Sequence, residues 1–96
     1  MILVFVEHYL SEEGRSYFPT WLKEIRAALE AFQGYLSLRQ LTDVQAPDRS
    51  LLELKFESLE LLRIWAKSPE HDREIEKLIP YRLRKQHSQI LRYPET

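Results

Sequence analysis

Residues 2 to 6, Ile-Leu-Val-Phe-Val, have no polar side. In a β-strand successive side chains point to opposite faces. Ile2, Val4 and Val6 therefore share one face, and Leu3 and Phe5 the other. The β-branched and aromatic content extends to Tyr9, so Ile2–Tyr9 reads as a strand. A strand that is apolar on both sides needs cover on both. A chain of 96 residues has helices enough to cover one face of a small sheet. The other is most economically covered by a second copy, and the expectation is a homodimer.

Punctuation divides the remainder. Phe18, Trp21, Leu22, Ile25, Leu29 and Phe32 recur at helical spacing and line one face of a first helix. With Ser16 as N-cap, Pro19 would take the third helical position, where its missing N–H costs nothing. Gly34 supplies the stop. Tyr35–Thr42 and Ser50–Phe56 read as strands joined by the loop Asp43–Arg49. In the second of these, Leu52, Leu54 and Phe56 alternate with Glu53, Lys55 and Glu57, so one face is buried. Ser58 caps a second helix with Glu60 in its first turn. Pro69 disfavours helical geometry at Ser68, which can then cap a new helix with Pro69 at its first position. Ile75, Leu78 and Ile79 form the stripe of that helix, which Pro80 ends. The polar stretch Arg82–Gln86 leads to a last strand, His87–Tyr93. The order is βαββαβ with the second helix split at Ser68-Pro69: an α+β, ferredoxin-like fold on a four-stranded antiparallel sheet, forming a single domain over residues 1–96.

Composition narrows the function classes. Fourteen basic and fifteen acidic residues give a net charge of -1, without the basic excess of a protein that neutralises phosphates, so no nucleic-acid partner is expected. The absence of cysteine excludes disulfides and thiolate-held zinc or iron–sulfur sites and suits a reducing compartment. Ile2–Val6 is too short for a signal-peptide core, and nothing approaches the ~20 apolar residues that cross a bilayer. The expected location is cytoplasmic, with no membrane association. Phosphate-binding glycine loops, a Gly-x-Ser-x-Gly elbow and a cysteine nucleophile are all missing.

Several pieces carry a resemblance: the first strand, Gly14 before the first helix, Phe32-Gln33-Gly34-Tyr35-Leu36-Ser37, and Glu53-Leu54-Lys55-Phe56-Glu57-Ser58 leading to Trp65-Ala66-Lys67-Ser68-Pro69-Glu70-His71. In this order and spacing the chain resembles the antibiotic biosynthesis monooxygenase family, a dimeric α+β barrel group, over nearly its whole length. The resemblance implies two four-stranded sheets closing into a barrel between subunits, with a cavity in each subunit between sheet and helices. It implies as function a monooxygenase that needs no cofactor and oxidises a small aromatic, phenolic or quinone-like molecule with dioxygen. The alternatives are a non-catalytic dimeric module that binds a small aromatic molecule, and a haem-binding or haem-degrading protein. Fold alone does not choose between them.

Trp65 matches the tryptophan that the family sets over its cavity, where it would stack on a flat substrate; with Leu61 and Leu62 one turn back it also reads as core. Glu7 stands, counting back from Gly14, where the haem-degrading branch has a catalytic amide residue. In an apolar cavity its pKa would be raised, which suits a general base; a solvated carboxylate near a strand end is the plainer reading. Tyr9 shares its face. His71 opens a helix and is expected at the surface. Arg39 and Tyr81 offer donors to a phenolate or to an anion derived from dioxygen, while Arg39 equally suits a cross-strand pair with Glu53 or Glu57. His8 and His87 are single histidines near strand ends, and no pair has metal-ligand spacing. The haem-degrading enzymes bind iron through a histidine about three helical turns after the tryptophan, where this chain has Ile75, with His71 as the nearest substitute.

Overall fold

The structure is a computed structural model, and it describes residues 1–94. Four strands, β1 (Ile2–Leu10), β2 (Tyr35–Leu41), β3 (Ser50–Phe56) and β4 (Arg82–Leu91), form one antiparallel sheet in the order β2-β3-β1-β4. Among the described residues three α-helices accompany it, α1 (Glu12–Leu29), α2 (Leu59–Ala66) and α3 (Pro69–Glu76), with a short 3-10 turn at Ile79–Tyr81 before β4. The α+β ferredoxin-like order read from the sequence is the observed one. β1, the most apolar strand, takes a central place, paired with β3 from Ile2–Phe56 to His8–Ser50 and with β4 from Leu3–Leu91 to Leu10–Arg82.

Helices α1 and α3 end earlier than expected, at Leu29 and Glu76, ahead of Gly34 and Pro80, and two further boundaries differ. Helix α1 starts five residues before Ser16's supposed first turn, because Ser11 is the cap: its hydroxyl accepts from the Gly14 N–H at 3.2 Å, with Glu12 and Glu13 in the first turn. Pro19 consequently sits inside the helix, on its exposed side. Gly14 is itself helical, and its role is close approach. A β-carbon there would lie 2.6 Å from Cβ of Tyr81, against which the first turn packs. The second difference is Arg82–Gln86, which belongs to β4. Its polar composition reflects an edge position, where side chains stay wet while the backbone pairs Tyr9 with Arg84 and Leu10 with Arg82. Register shifts between Glu7 and Leu10 accompany this pairing. Tyr93 lies beyond the strand.

The helices cover one face. Ile2, Val4, Leu10, Leu52, Leu54 and Phe56 from the sheet join Phe18, Trp21, Leu22, Ile25 and Leu29 of α1 in a single core. The Trp21 indole N–H donates to the Glu74 carbonyl oxygen at 2.7 Å, tying α1 to α3 deep inside. The opposite face carries Leu3, Phe5, Glu7 and Tyr9 beside their β3 neighbours Lys55, Glu53 and Leu51. Those side chains lie outside the core formed with the helices.

Candidate functional site

Between sheet and helices lies a half-open cavity of about 210 Å³. Val4, Val6 and His8 of β1 line its sheet side with Ser88 of β4; Trp21 and Ile25 of α1, Trp65 of α2, and His71 and Ile75 of α3 line the rest, with Arg63 also at its wall. Ser68 sets the geometry of the helical side. Its hydroxyl donates to the Trp65 carbonyl oxygen at 2.7 Å and accepts from the His71 N–H at 3.1 Å. One serine thus ends α2 and caps α3. That holds the Trp65 and His71 rings edge to face at 5.4 Å, while Phe32 abuts Trp65 at 5.0 Å. Trp65 is 2% exposed. It is both core and cavity wall. His71, expected at the surface, is half-buried in the lining.

His8 is the residue that sequence reasoning passed over. It is 4% exposed, with the Trp21 ring at 5.1 Å and the Phe18 ring at 5.9 Å. Its Nδ1 is fully buried and has no hydrogen-bond partner among the described residues. Burial pushes the imidazolium down to about 4, and the positive charge of Arg82 adds to the effect, so His8 is neutral near pH 7. The signal was present in the strand alternation: His8 follows Val6 by two residues and must share its buried face.

Glu7 points the other way for the same reason. Arg49 grips its carboxylate with two bonds, Nε to Oε2 at 2.9 Å and Nη2 to Oε1 at 2.6 Å, and reaches Asp43 Oδ2 with Nη1 at 2.8 Å. The hydrogen bonds from Arg49 hold the Glu7 carboxyl below the usual carboxylate range, outweighing partial desolvation. The expectation of a raised pKa in an apolar cavity is therefore overturned: strand alternation sets Glu7 on the face away from Trp65, against a guanidinium. Tyr9 lies on this same face, with the Arg84 guanidinium 3.9 Å from its ring centroid. Glu7, Tyr9 and Arg49 border a second, shallower recess with Ala46, Pro47 and Leu83. Arg39 is exposed and stands opposite Glu53 in register, as the cross-strand reading had it, although Glu53 has its ion-pair contact with Lys55 at 3.8 Å. Tyr81 packs against Tyr17 at 5.5 Å and against Gly14, apart from the cavity lining. Of the site residues named from sequence, only Trp65 and His71 are brought together at the cavity.

Haem does not fit this space. Ile75 lines the cavity where a ligand would stand and offers no donor atom. A cavity of roughly 150 Å³ is what one benzene occupies in an engineered protein, so a four-pyrrole macrocycle exceeds the present volume of about 210 Å³ several-fold. Among the described residues, no group of three or more metal-ligating side chains converges. Nor, among those residues, is any helix long and apolar enough to cross a membrane.

No protein-family sequence model and no curated protein sequence matches the chain. Solved structures do. A conserved protein from Methanosarcina mazei Go1 superposes with a TM-score of 0.85 at 13% identity, over 97% of this chain and 92% of that one. A provisional antibiotic biosynthesis monooxygenase from Deinococcus radiodurans gives 0.84 at 17% identity, over 100% and 95%. SnoaB, a cofactor-independent oxygenase from Streptomyces nogalater, gives 0.78 at 10% identity, over 99% and 95%. At such identities the likeness is one of architecture: this chain has the fold of the antibiotic biosynthesis monooxygenase proteins.

Proposed function

We propose that the chain is a cofactor-independent monooxygenase that oxidises a small aromatic, phenolic or quinone-like molecule with dioxygen, in the cavity beneath Trp65. One observation carries this reading: two tryptophans, Trp21 and Trp65, and two histidines, His8 and His71, converge on a half-open space lined for the rest mainly by aliphatic side chains, with Arg63, Gln86 and Ser88 at its wall. Flat π surfaces suit a flat ligand, and an apolar space beside a neutral imidazole admits both dioxygen and an uncharged substrate. SnoaB, which shares the fold, is an oxygenase that needs no cofactor.

The chemistry balances without a bound metal. An activated C–H of the substrate loses its proton to a base, and the carbanion passes one electron to dioxygen. The resulting radical pair combines into a C–O bond. The peroxide takes up the proton, and loss of water leaves a carbonyl, so CH₂ and O₂ become C=O and H₂O. Trp65 and His71 form the wall that positions the ring. Among the described residues no carboxylate lines the cavity, so the base is a group other than Glu7. The same observation favours a second reading, a dimeric module that binds a small aromatic without transforming it.

A homodimer belongs to this proposal. The face with Leu3, Phe5 and Leu51 lies outside the helix-covered core, and a second copy would cover it, along with Glu7, Tyr9 and Arg39. A cysteine-free chain with this chemistry suits the cytoplasm. Oxygen uptake with a panel of anthrones and hydroquinones tests catalysis, and Trp65→Ala should lower the rate at least tenfold. Uptake no faster than the spontaneous reaction would leave only the binding module. A haem titration should show no Soret shift, and sedimentation at micromolar concentration should give twice the chain mass.

A further inference from the structure

We propose that His8 recognises the ligand, its imidazole accepting a hydrogen bond from the hydroxyl of a neutral phenol built on one or two fused rings. This rests on the reading of the cavity as a ligand site and says what that site selects. A buried polar atom without a partner forfeits a hydrogen bond that water would have supplied. Nδ1 of His8 is in that position, in a ring that lines the cavity and is 4% exposed. The groups around His8 do not satisfy it. Its α1 neighbours are the rings of Phe18 and Trp21. Arg82 of β4 donates instead to the Gln86 side-chain oxygen at 3.0 Å, Arg63 lies on α2, and Nδ1 of His71 sits 3.3 Å from Asp72 Oδ1. Glu7 projects to the opposite face. Nδ1 is closed off as the cavity stands, so a ligand bearing a hydroxyl brings the missing partner by shifting the edge of the imidazole as it seats.

Charge and size narrow the ligand. With the imidazolium held at about 4 and an ordinary phenol near 10, full proton transfer is disfavoured by about a millionfold in the resting complex. His8 therefore holds the phenol neutral and hydrogen-bonded, and becomes a proton acceptor only as charge develops during reaction. One benzene occupies a cavity of roughly 150 Å³, so about 210 Å³ accommodates a two-ring nucleus.

Equilibrium dialysis with 1-naphthol and naphthalene, two probes of nearly the same shape, isolates the hydroxyl. The wild type should bind 1-naphthol about tenfold more tightly, the worth of one hydrogen bond to an otherwise unsatisfied group. In His8→Leu the two affinities should agree within about twofold, while His8→Gln, which keeps an acceptor, should recover most of the preference. A folded His8→Leu that retains the preference would overturn the proposal, as would a wild type that does not discriminate. Should His8→Leu fail to fold, the ring resonances of His8 in the wild type decide: they should shift with 1-naphthol and stay in place with naphthalene, and a ring indifferent to 1-naphthol sinks the assignment. Oxygen uptake is scored separately. Hydroxyl preference without any uptake would keep His8 as the recognition group and remove the oxygenase reading.

Discussion

The buried imidazole of His8 makes the stability of this protein depend on pH in a window that extends well above the carboxylate range. An unfolded histidine protonates with a pKa near 6.5, whereas His8 in the folded protein does so at about 4. Between those values the unfolded chain binds the proton and the folded one does not, so stability falls as pH falls. Above about pH 7 both states are neutral and the effect vanishes. Each pH unit inside the window is worth up to about 1.4 kcal/mol. Integration gives a loss of about 2 kcal/mol by pH 5 and about 3 kcal/mol by pH 4, relative to pH 8. Urea unfolding from pH 8 to pH 5 measures this, since Glu7, Asp43 and Glu24 all have lowered values and titrate below that range. His8→Leu should lack this component and be the more stable protein at pH 5. If wild type and variant respond alike from pH 8 to pH 5, His8 is not a buried neutral imidazole, and the assignment of the cavity's acceptor falls with it.

Gly34 has φ of +87°, and a β-carbon there would meet Cδ1 of Leu61 at 2.6 Å. Gly34→Ala should cost at least about 1–2 kcal/mol from backbone strain alone; adding Leu61→Ala removes the Cδ1 contact but leaves the β-carbon of residue 61 at 2.9 Å and the strain, so thermal unfolding should recover only part of the loss. Ser68→Ala removes the α3 cap and the bond to the Trp65 carbonyl; the loss should be about 1–2 kcal/mol, with a change in Trp65 fluorescence as the wall loosens. Glu7→Gln breaks a pair whose arginine is 39% exposed, so about 1 kcal/mol or less is expected at pH 7. Because the Glu7 pKa is lowered, this contribution holds above the ordinary carboxylate value and fades as pH falls through the depressed one; a difference that did not shrink on acidification would point to packing instead.

Periodicity and punctuation determined the element order from the sequence alone. Ser58 and Ser68-Pro69 sit at helix ends in the structure because capping is local physics, decided within a few residues; Gly34, expected as the stop of the first helix, stands instead in the turn that enters β2, past the α1 cap at Glu30. Ser11 was missed in favour of Ser16, since Pro19 suggested a late helix start and a single exposed proline in an 18-residue helix costs less than the packing of α1 returns. The β4 extension was missed because an edge strand paired on one side need not be apolar. Alternation along β1 already separated Glu7 from Val6 and His8. Only the tertiary structure decided which of those two faces the helices would take, and hence that a histidine enters the cavity while the carboxylate meets Arg49, 42 residues away in the chain. Strand alternation is a property of two neighbouring residues; burial is a property of what folds over them.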